Sequence, residues 1–302
     1  MADVERARGR RSRALEPRLS RHGALGGGEN FAATFRELGA LAYAGATVSA
    51  NVIDLRTSRV LVGIDDRIVL PTGGIGKILL LIEVAARLTS REFSAYAILD
   101  KSPADVAGGA GIWQYLQAPS LPVADLAALV GATDDNLATN ALLRHVGLDA
   151  VRARAESLGL ARTALLDRAR DVRGPDDAPQ VSVGSTAELA WLVGALARGE
   201  VVDVTTSERV IGWLSLNSDT SLVASAFGMD PLAHETTDHN SLLINKTGSG
   251  AGIRAEVGAF RGIRSSVAYS VTVQFSDDEL AMRMAVLDAM RTIGLDILEY
   301  VH

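Results

Sequence analysis

The sequence predicts an α+β fold in which one antiparallel sheet, built from both ends of the chain, lies beside an all-helical lobe. Two β-rich segments near the N-terminus, 47–54 and 59–63, are joined by a polar turn and indicate a hairpin. Segments 242–246, 253–260 and 266–275 indicate an antiparallel meander. Because strands from both ends enclose a mostly helical region of about residues 77–198, we expect them to pair in one sheet.

The helices follow from apolar spacing and from breaks at glycine and proline. Apolar side chains recur at helical spacing in 30–44, which predicts an amphipathic first helix. Segment 77–88 is apolar almost all round and predicts a buried helix. A charged stretch interrupted by glycine and proline, 168–182, predicts a long loop. The remaining predicted helices are 123–129, 137–145, 148–158, 186–197, 207–216 and 278–293.

The composition excludes several classes of function. The chain has 302 residues, 48% hydrophobic and 22% charged, which is enough for a sizeable core. A net charge of -6 argues against nucleic-acid binding. The absence of cysteine excludes disulfides and thiolate metal sites. His234 and His239 are five residues apart, which does not place them on one helical face, so we assign no metal site and no cofactor.

The first residues are rich in arginine and are not followed by an apolar segment, so they do not resemble a secretory signal. We predict a disordered basic tail over 1–28 and one domain over 29–302. No stretch has the length and hydropathy of a membrane span, so we expect a cytoplasmic protein without a membrane partner. Within the domain, the predicted sheet lobe covers about 29–70 and 208–302, and the predicted helical lobe covers about 71–207.

A glycine-rich turn before the buried helix ends in a lone lysine. Gly73, Gly74 and Gly76 allow close backbone packing, and Lys77 follows in the first helical turn. Burial of an ammonium near the positive end of a helix is costly. Lys77 therefore either extends to solvent or is held in place for chemistry.

Three short motifs occur in order: Gly74-Ile-Gly-Lys77, Asp134-Asp-Asn136 and Lys246-Thr-Gly248. Together they resemble the motifs S-x-x-K, S-D-N and K-T-G of the serine β-lactamase and penicillin-binding protein superfamily. The flanking segments beginning at Asn140 and ending at Arg168 are most similar to class A β-lactamases. The resemblance covers about residues 30–300 and implies a β-lactamase-like fold.

The resemblance implies roles for the first motif, with one departure. Lys77 matches the lysine that helps the nucleophilic serine lose its proton. Gly74 stands where that serine is expected and carries no nucleophile. The N–H groups of Gly74 and Ser249 match the family's oxyanion hole. Thr72, Ser182 and Ser185 lack a lysine at the required spacing, so we do not expect them to replace the serine.

The second and third motifs are better matched. Asn136 resembles the residue that holds the substrate amide and bonds the lysine. Asp134 replaces a serine, and we expect its carboxylate to lie near both lysines and keep them charged; the alternative is an ordinary helix N-cap. In the third motif, the resemblance implies that a substrate carboxylate is gripped by Lys246, Thr247, Gly248 and Ser249.

Two arginines are further candidates for ligand contacts. Arg254, on the following predicted strand, supplies a second cation for a carboxylate or is a plain surface residue. Arg170 aligns with the glutamate that class A enzymes use to activate the deacylating water, and Gly174 aligns with an asparagine of that loop. Hydrolysis by the class A route therefore lacks its expected base.

Two functional hypotheses follow. In the first, the chain is a serine hydrolase or acyl-transfer protein acting on a β-lactam or related carboxylate-bearing amide, inactive in this form because Gly74 replaces serine. In the alternative, glycine is native, and the protein is a nucleophile-free ligand-binding protein or a non-covalent acid–base enzyme. Both hypotheses expect a small carboxylate-bearing or β-lactam-like partner.

Overall fold

A computed structural model of the chain describes residues 30–234 and 239–302. The helices are α1 (Ala32–Tyr43), α2 (Lys77–Thr89), α3 (Val123–Thr133), α4 (Asn136–Val146), α5 (Leu148–Ser157), α6 (Thr186–Ala197), α7 (Val204–Leu214) and α8 (Leu280–Val301). The strands are β1 (Thr47–Asp54), β2 (Val60–Ile64), β3 (Leu70–Pro71), β4 (Ile98–Asp100), β5 (Ser120–Pro122), β6 (Ala164–Leu165), β7 (Ser182–Gly184), β8 (Leu242–Gly250), β9 (Ile253–Arg261) and β10 (Ser266–Gln274). The predicted basic tail, 1–28, lies outside the described residues.

The main sheet has the order β2-β1-β10-β9-β8 and joins both ends of the chain, which confirms the predicted α+β fold. Its pairs are antiparallel, with Val48 opposite Val273 and Lys246 opposite Val257. Strand β8 lies at one edge of this sheet. As an outer strand of an open sheet, β8 has one edge without a ladder, and the turn before α2 packs against this strand.

Apolar side chains form a separate core on each face of the sheet. One core lies between the sheet and helices α1 and α8, and includes Phe31, Tyr269 and Ile293. The other joins the sheet to α2–α7 and includes Leu80 and Val257. Helix α6 packs against β1, β9 and β10 as well as α7, so it connects the sheet to the helical region.

Helix α2 forms the centre of the helical core, as its all-round apolar sequence predicts. Ile75, Leu80 and Ile82 have no measurable exposure, and a 3-10 turn over Gly73–Gly76 leads into the helix. Two small sheets, β3-β7-β6 and β4-β5, were not predicted from the sequence. The first ties the end of the 168–182 loop to the glycine turn, because the Thr72 N–H donates to the Ser182 carbonyl at 3.1 Å.

The observed elements differ from the predicted ones mainly at their ends. Strand β8 continues to Gly250 instead of ending at 246, because it pairs with β9 as far as the contact between Gly250 and Ile253. The third motif therefore lies within a strand. Helix α8 continues to Val301 instead of 293. Among the described residues, no helix combines the length and hydropathy needed to cross a membrane.

Candidate active site

Lys77 is the first residue of α2, and its side chain is buried between the two other motifs. Its Nζ donates to the carbonyl oxygen of Asp134 at 2.6 Å and to Oδ1 of Asn136 at 2.7 Å. The same Nζ lies 3.2 Å from Oδ1 of Asp134. The structure therefore answers the question left open by the sequence: Lys77 does not extend to solvent.

The junction between α3 and α4 separates the roles of two adjacent aspartates. Asp135 is the N-cap of α4 and accepts from the Ala138 N–H at 2.9 Å. Asp134 ends α3 in the left-handed conformation, with φ 56° and ψ 30°. The alternative role, an ordinary N-cap, therefore applies to Asp135, and the side chain of Asp134 is directed to the lysines.

Asp134 bridges the two lysines. Lys246 is fully buried on β8, and its Nζ forms a short ion pair with the same Oδ1 that lies near Lys77. The three motifs, which are separated by about 60 and about 110 residues in the chain, thus meet at one carboxylate. We call Lys77, Asp134, Asn136 and Lys246 the bridged cluster.

The carboxylate of Asp134 also occupies the space beside Gly74. A Cβ atom built on Gly74 would stand 2.6 Å from Cγ of Asp134 and would overlap both of its carboxylate oxygens. Real Cβ atoms essentially never lie so close to another heavy atom. Glycine at position 74 and aspartate at position 134 therefore fit each other, and a larger residue at 74 requires the carboxylate to move.

Burial and nearby charges shift the pKa values of Asp134 and Lys77. Burial raises the pKa of Asp134, but Lys246 and Lys77 outweigh burial, and the pKa lies below its ordinary value. Burial lowers the pKa of Lys77, and Lys246 lowers it further, against the opposing effect of Asp134. The effect of Asp134 by itself is to raise the pKa of Lys77, as expected, whereas burial and Lys246 make the net shift a lowering. That the Asp134 carboxylate keeps both lysines charged stays a prediction.

Strand β8 runs directly along the glycine turn. A Cβ at Gly248 would stand 3.0 Å from the carbonyl carbon of Thr72, and one at Gly73 would stand 3.0 Å from the Ser249 nitrogen. Only glycine allows the two backbones to approach this closely. The same Cβ built on Gly248 would also stand 3.1 Å from the nitrogen of Gly74. The two N–H groups expected to form an oxyanion hole therefore lie along the same seam.

The remaining residues of the third motif differ in exposure. Thr247 is 5% exposed, whereas Ser249 is exposed at the end of β8. Because side chains alternate along a strand, Thr247 and Ser249 share one face of β8 and Lys246 lies on the other. Contacts with a ligand from Ser249 and contacts from Lys246 would therefore come from opposite sides of the strand.

Asn136 is fixed by a glycine loop as well as by Lys77. Its Nδ2 donates to the Gly108 carbonyl at 2.5 Å, and its backbone N–H donates to the Ala110 carbonyl at 3.1 Å. The Gly108 N–H in turn donates to Asp171 of the 168–182 loop at 2.6 Å. The amide that the resemblance assigns to substrate binding thus contacts the 108–111 loop in this structure.

Arg170 and Arg254, two predicted ligand residues, make their contacts away from the bridged cluster. Arg170 bonds to Asp167 at 2.8 Å and pairs with Asp177 at 3.0 Å, both within its own loop. Arg254 donates to the carbonyls of Gly250 and Ile253 and lies 5.9 Å from the centre of the Phe275 ring. Neither guanidinium is recorded in contact with the bridged cluster, so their ligand contacts stay predictions.

The other candidate nucleophiles have structural contacts. The hydroxyl groups of Thr72 and Ser182 share a hydrogen bond of 2.7 Å in the buried seam beside the turn. Ser185 is the N-cap of α6. His234 contacts the Asp230 carbonyl through Nδ1 at 2.8 Å, and His239 lies beyond residues 235–238, which are outside the described residues.

Sequence reasoning missed a second buried polar group on the opposite face of β8 and β9. Glu256 accepts from the hydroxyl of Tyr269 at 2.7 Å and from Nδ2 of Asn245 at 2.9 Å. Burial raises the pKa of Glu256 to about 7. The available signal was Asn245 and Glu256 at inward positions of otherwise apolar strands, which only the strand register identifies as neighbours.

Several solved structures have a fold similar to that of this chain. One of them is a β-lactamase from Sphaerobacter thermophilus DSM 20745, with a TM-score of 0.79 at 21% identity. The superposition covers 90% of this chain and 97% of that one. PBP-A has a TM-score of 0.74 at 15% identity, covering 89% and 95%. A class A β-lactamase from Mycobacterium abscessus has a TM-score of 0.71 at 17% identity, covering 86% and 97%. These identities establish likeness of fold alone.

No curated protein matches the sequence. A family model described as the beta-lactamase enzyme family matches residues 30–301, which is nearly the whole described chain. The matched range spans the positions of all three motifs. The chain belongs to the β-lactamase enzyme family.

Proposed function

We propose that this protein is a nucleophile-free member of its family that binds a small anionic, carboxylate-bearing or β-lactam-like molecule without forming an acyl-enzyme through position 74. The observation that carries the proposal is the fit between Gly74 and the Asp134 carboxylate. A glycine introduced in place of serine would leave a space, but here a neighbouring side chain fills it. This favours glycine as the native residue over an inactivated serine enzyme.

The charges favour an anionic ligand. Two buried ammonium groups face one bridging carboxylate, which leaves the three side chains with one positive charge in excess. The seam between β8 and the glycine turn adds N–H groups at Gly74 and Ser249 for a carbonyl or carboxylate oxygen. A ligand carboxylate that replaces Asp134 at the lysines would meet two cations directly.

Relatives in the family support this ligand class by analogy. One solved structure similar to this chain is a mutant of PBP-A in an acyl-enzyme complex with penicillin G. That protein forms a covalent complex, for which the family uses a serine. We expect the present chain to bind such a molecule reversibly, because residue 74 has no side chain to acylate.

Intact-mass spectrometry with penicillin G tests the absence of acylation. The native chain should show no adduct, and neither should Gly74→Ser, because its side chain overlaps Asp134. The double variant Gly74→Ser/Asp134→Ser removes the overlap and supplies both family serines, so it should acylate. Adding Lys77→Ala to that double variant is the matched control, and it should abolish the adduct. A covalent adduct on the native chain would overturn the proposal.

Calorimetry tests the reversible binding. Penicillin G should bind the native chain, and Lys246→Met should weaken that binding at least tenfold while circular dichroism shows that the variant remains folded. The expected loss corresponds to about 1.4 kcal/mol for one buried cation removed from an anion site. If penicillin G and simple dicarboxylates all fail to bind the native chain, ligand binding at the bridged cluster is wrong.

A further inference from the structure

A cavity lies on the same sheet, away from the bridged cluster. Its volume is about 250 Å³, and apolar side chains from three elements line it: Ile211 of α7, Leu242 and Ile244 of β8, and Ala259 of β9. On β8 the lining ends at Ile244, which precedes Lys246 by two residues, or about 7 Å along the strand, and no residue of the bridged cluster lines the cavity. The cavity is therefore separate from the candidate active site, although both use β8.

Three arginines line this apolar cavity, and no acidic residue is among its lining residues. Arg198 follows the last residue of α6 and pairs with Glu200 at 2.8 Å. Its positive charge is therefore compensated by Glu200 and by the negative end of the helix dipole. Arg56 and Arg261 are exposed. Within 30–234 and 239–302, neither of these two side chains has a recorded ion pair or hydrogen bond.

The strand register directs Arg261 into this cavity. Arg261 lies opposite Leu242 on one side and Ser266 on the other, and both of these residues also line the cavity. Residues directly opposite in antiparallel strands point to the same face of a sheet. Arg56 follows Leu55, whose N–H donates to the Ser266 carbonyl at 2.9 Å, so it is anchored at the same end of the sheet.

We propose that this cavity binds a small amphiphilic carboxylate, with an aryl or short alkyl group among the aliphatic side chains and the carboxylate at Arg56 and Arg261. A guanidinium forms paired, charge-assisted hydrogen bonds with a carboxylate. Small-molecule sites combine a mostly apolar lining with a few polar groups that fix orientation. The volume is slightly below the usual range of about 300–1,000 Å³ for drug-sized ligands, which limits the occupant to a small molecule.

Calorimetry with the full chain and 4-phenylbutanoate tests the proposal, with the uncharged 4-phenylbutanol as the matched ligand. The double variant Arg56→Gln/Arg261→Gln should weaken binding of the carboxylate at least tenfold and change binding of the alcohol less than twofold. Arg209→Gln, an exposed arginine of α7 outside the cavity lining, is the control variant and should leave both unchanged. These are surface substitutions, so we expect all variants to fold.

Methyl NMR spectra locate the bound molecule. Titration with 4-phenylbutanoate should shift the methyl signals of Ile211 and Ile244, and Lys246→Met should not alter the affinity. Equal affinity of the native chain and the double variant, equal binding of the acid and the alcohol, or loss of binding in Lys246→Met would each overturn the proposal. The last outcome would move the ligand to the bridged cluster and would leave the function proposed there intact.

Discussion

Two buried polar clusters lie on opposite faces of β8 and β9, and they differ in how their charge is compensated. On the face toward the helical region, Asp134 is held between the ammonium groups of Lys77 and Lys246. On the other face, Glu256 has neutral partners, the hydroxyl of Tyr269 and the amide of Asn245. The first carboxyl has a pKa below its ordinary value, and the second has a pKa of about 7.

This difference shows that burial alone does not decide the charge of a carboxyl group. Burial raises the pKa in both clusters, and it prevails only where no cation opposes it. A carboxylate fixed between two cations is suited to hold the two lysines in place. A carboxyl among neutral donors instead becomes a group that titrates near neutral pH and couples the fold to pH.

The largest expected effect comes from removing the charge that compensates the lysines. Asp134→Asn leaves two buried ammonium groups facing one another, and removing one partner of a buried pair costs roughly 3–5 kcal/mol. Because the Asp134 side chain is one quarter exposed, we expect a loss of about 3–4 kcal/mol in unfolding free energy, measured by urea titration. Asp176→Asn, an exposed aspartate, is the control. A loss below about 1 kcal/mol would contradict the bridging role.

The second prediction concerns the pH dependence of Glu256. Its pKa is about 7 in the folded chain against an ordinary value of 4.5, so the folded state binds more protons between these values. Unfolding free energy should therefore fall as pH rises from 4.5 to 7, by about 3 kcal/mol at about 1.4 kcal/mol per pH unit. The difference between the native chain and Glu256→Gln isolates this contribution. A difference that is constant across this window would show that Glu256 stays ionised.

The sequence is sufficient to predict most of the fold because the apolar periodicity is strong. The all-round apolar run after Lys77 becomes the central helix, and segments 47–54 and 186–197 match β1 and α6 at both ends. The three motifs also identify the residues that meet in the bridged cluster. The short strands β3 to β7 were missed because two or three residues carry too little periodicity to predict a strand.

The contacts inside the site depend on geometry that a single sequence does not contain. Asp134 reaches the lysines because its backbone is left-handed, a conformation that aspartate adopts more readily than most residues but that its neighbours do not signal. The overlap with position 74 follows from that backbone. Likewise, the resemblance matches Arg170 to a catalytic position, but its contacts with Asp167 and Asp177 follow from the course of the loop.

A smaller effect is expected for Gly74→Ala, which tests the fit between positions 74 and 134 directly. The added methyl group overlaps the Asp134 carboxylate, and overpacking of this kind costs about 1–3 kcal/mol. In a background carrying Asp134→Ala, the same change should cost under 0.5 kcal/mol, an estimate that follows from removal of the overlapping group. Urea unfolding of the four proteins gives the coupling. Additive effects would show that the two positions are independent.

The smallest effect is expected for Tyr269→Phe, which removes one donor from Glu256 without changing its shape. The hydroxyl favours the ionised carboxyl, so its loss should raise the pKa of Glu256 further above 7. We expect a loss of about 1 kcal/mol in unfolding free energy, larger at pH 8, where the carboxyl is ionised, than at pH 5. Tyr96→Phe, at an exposed tyrosine, is the control. An equal loss of unfolding free energy at both pH values would mean that the hydroxyl stabilises the protonated carboxyl as much as the ionised one. The neutral partners of Glu256 would then stabilise it in both charge states.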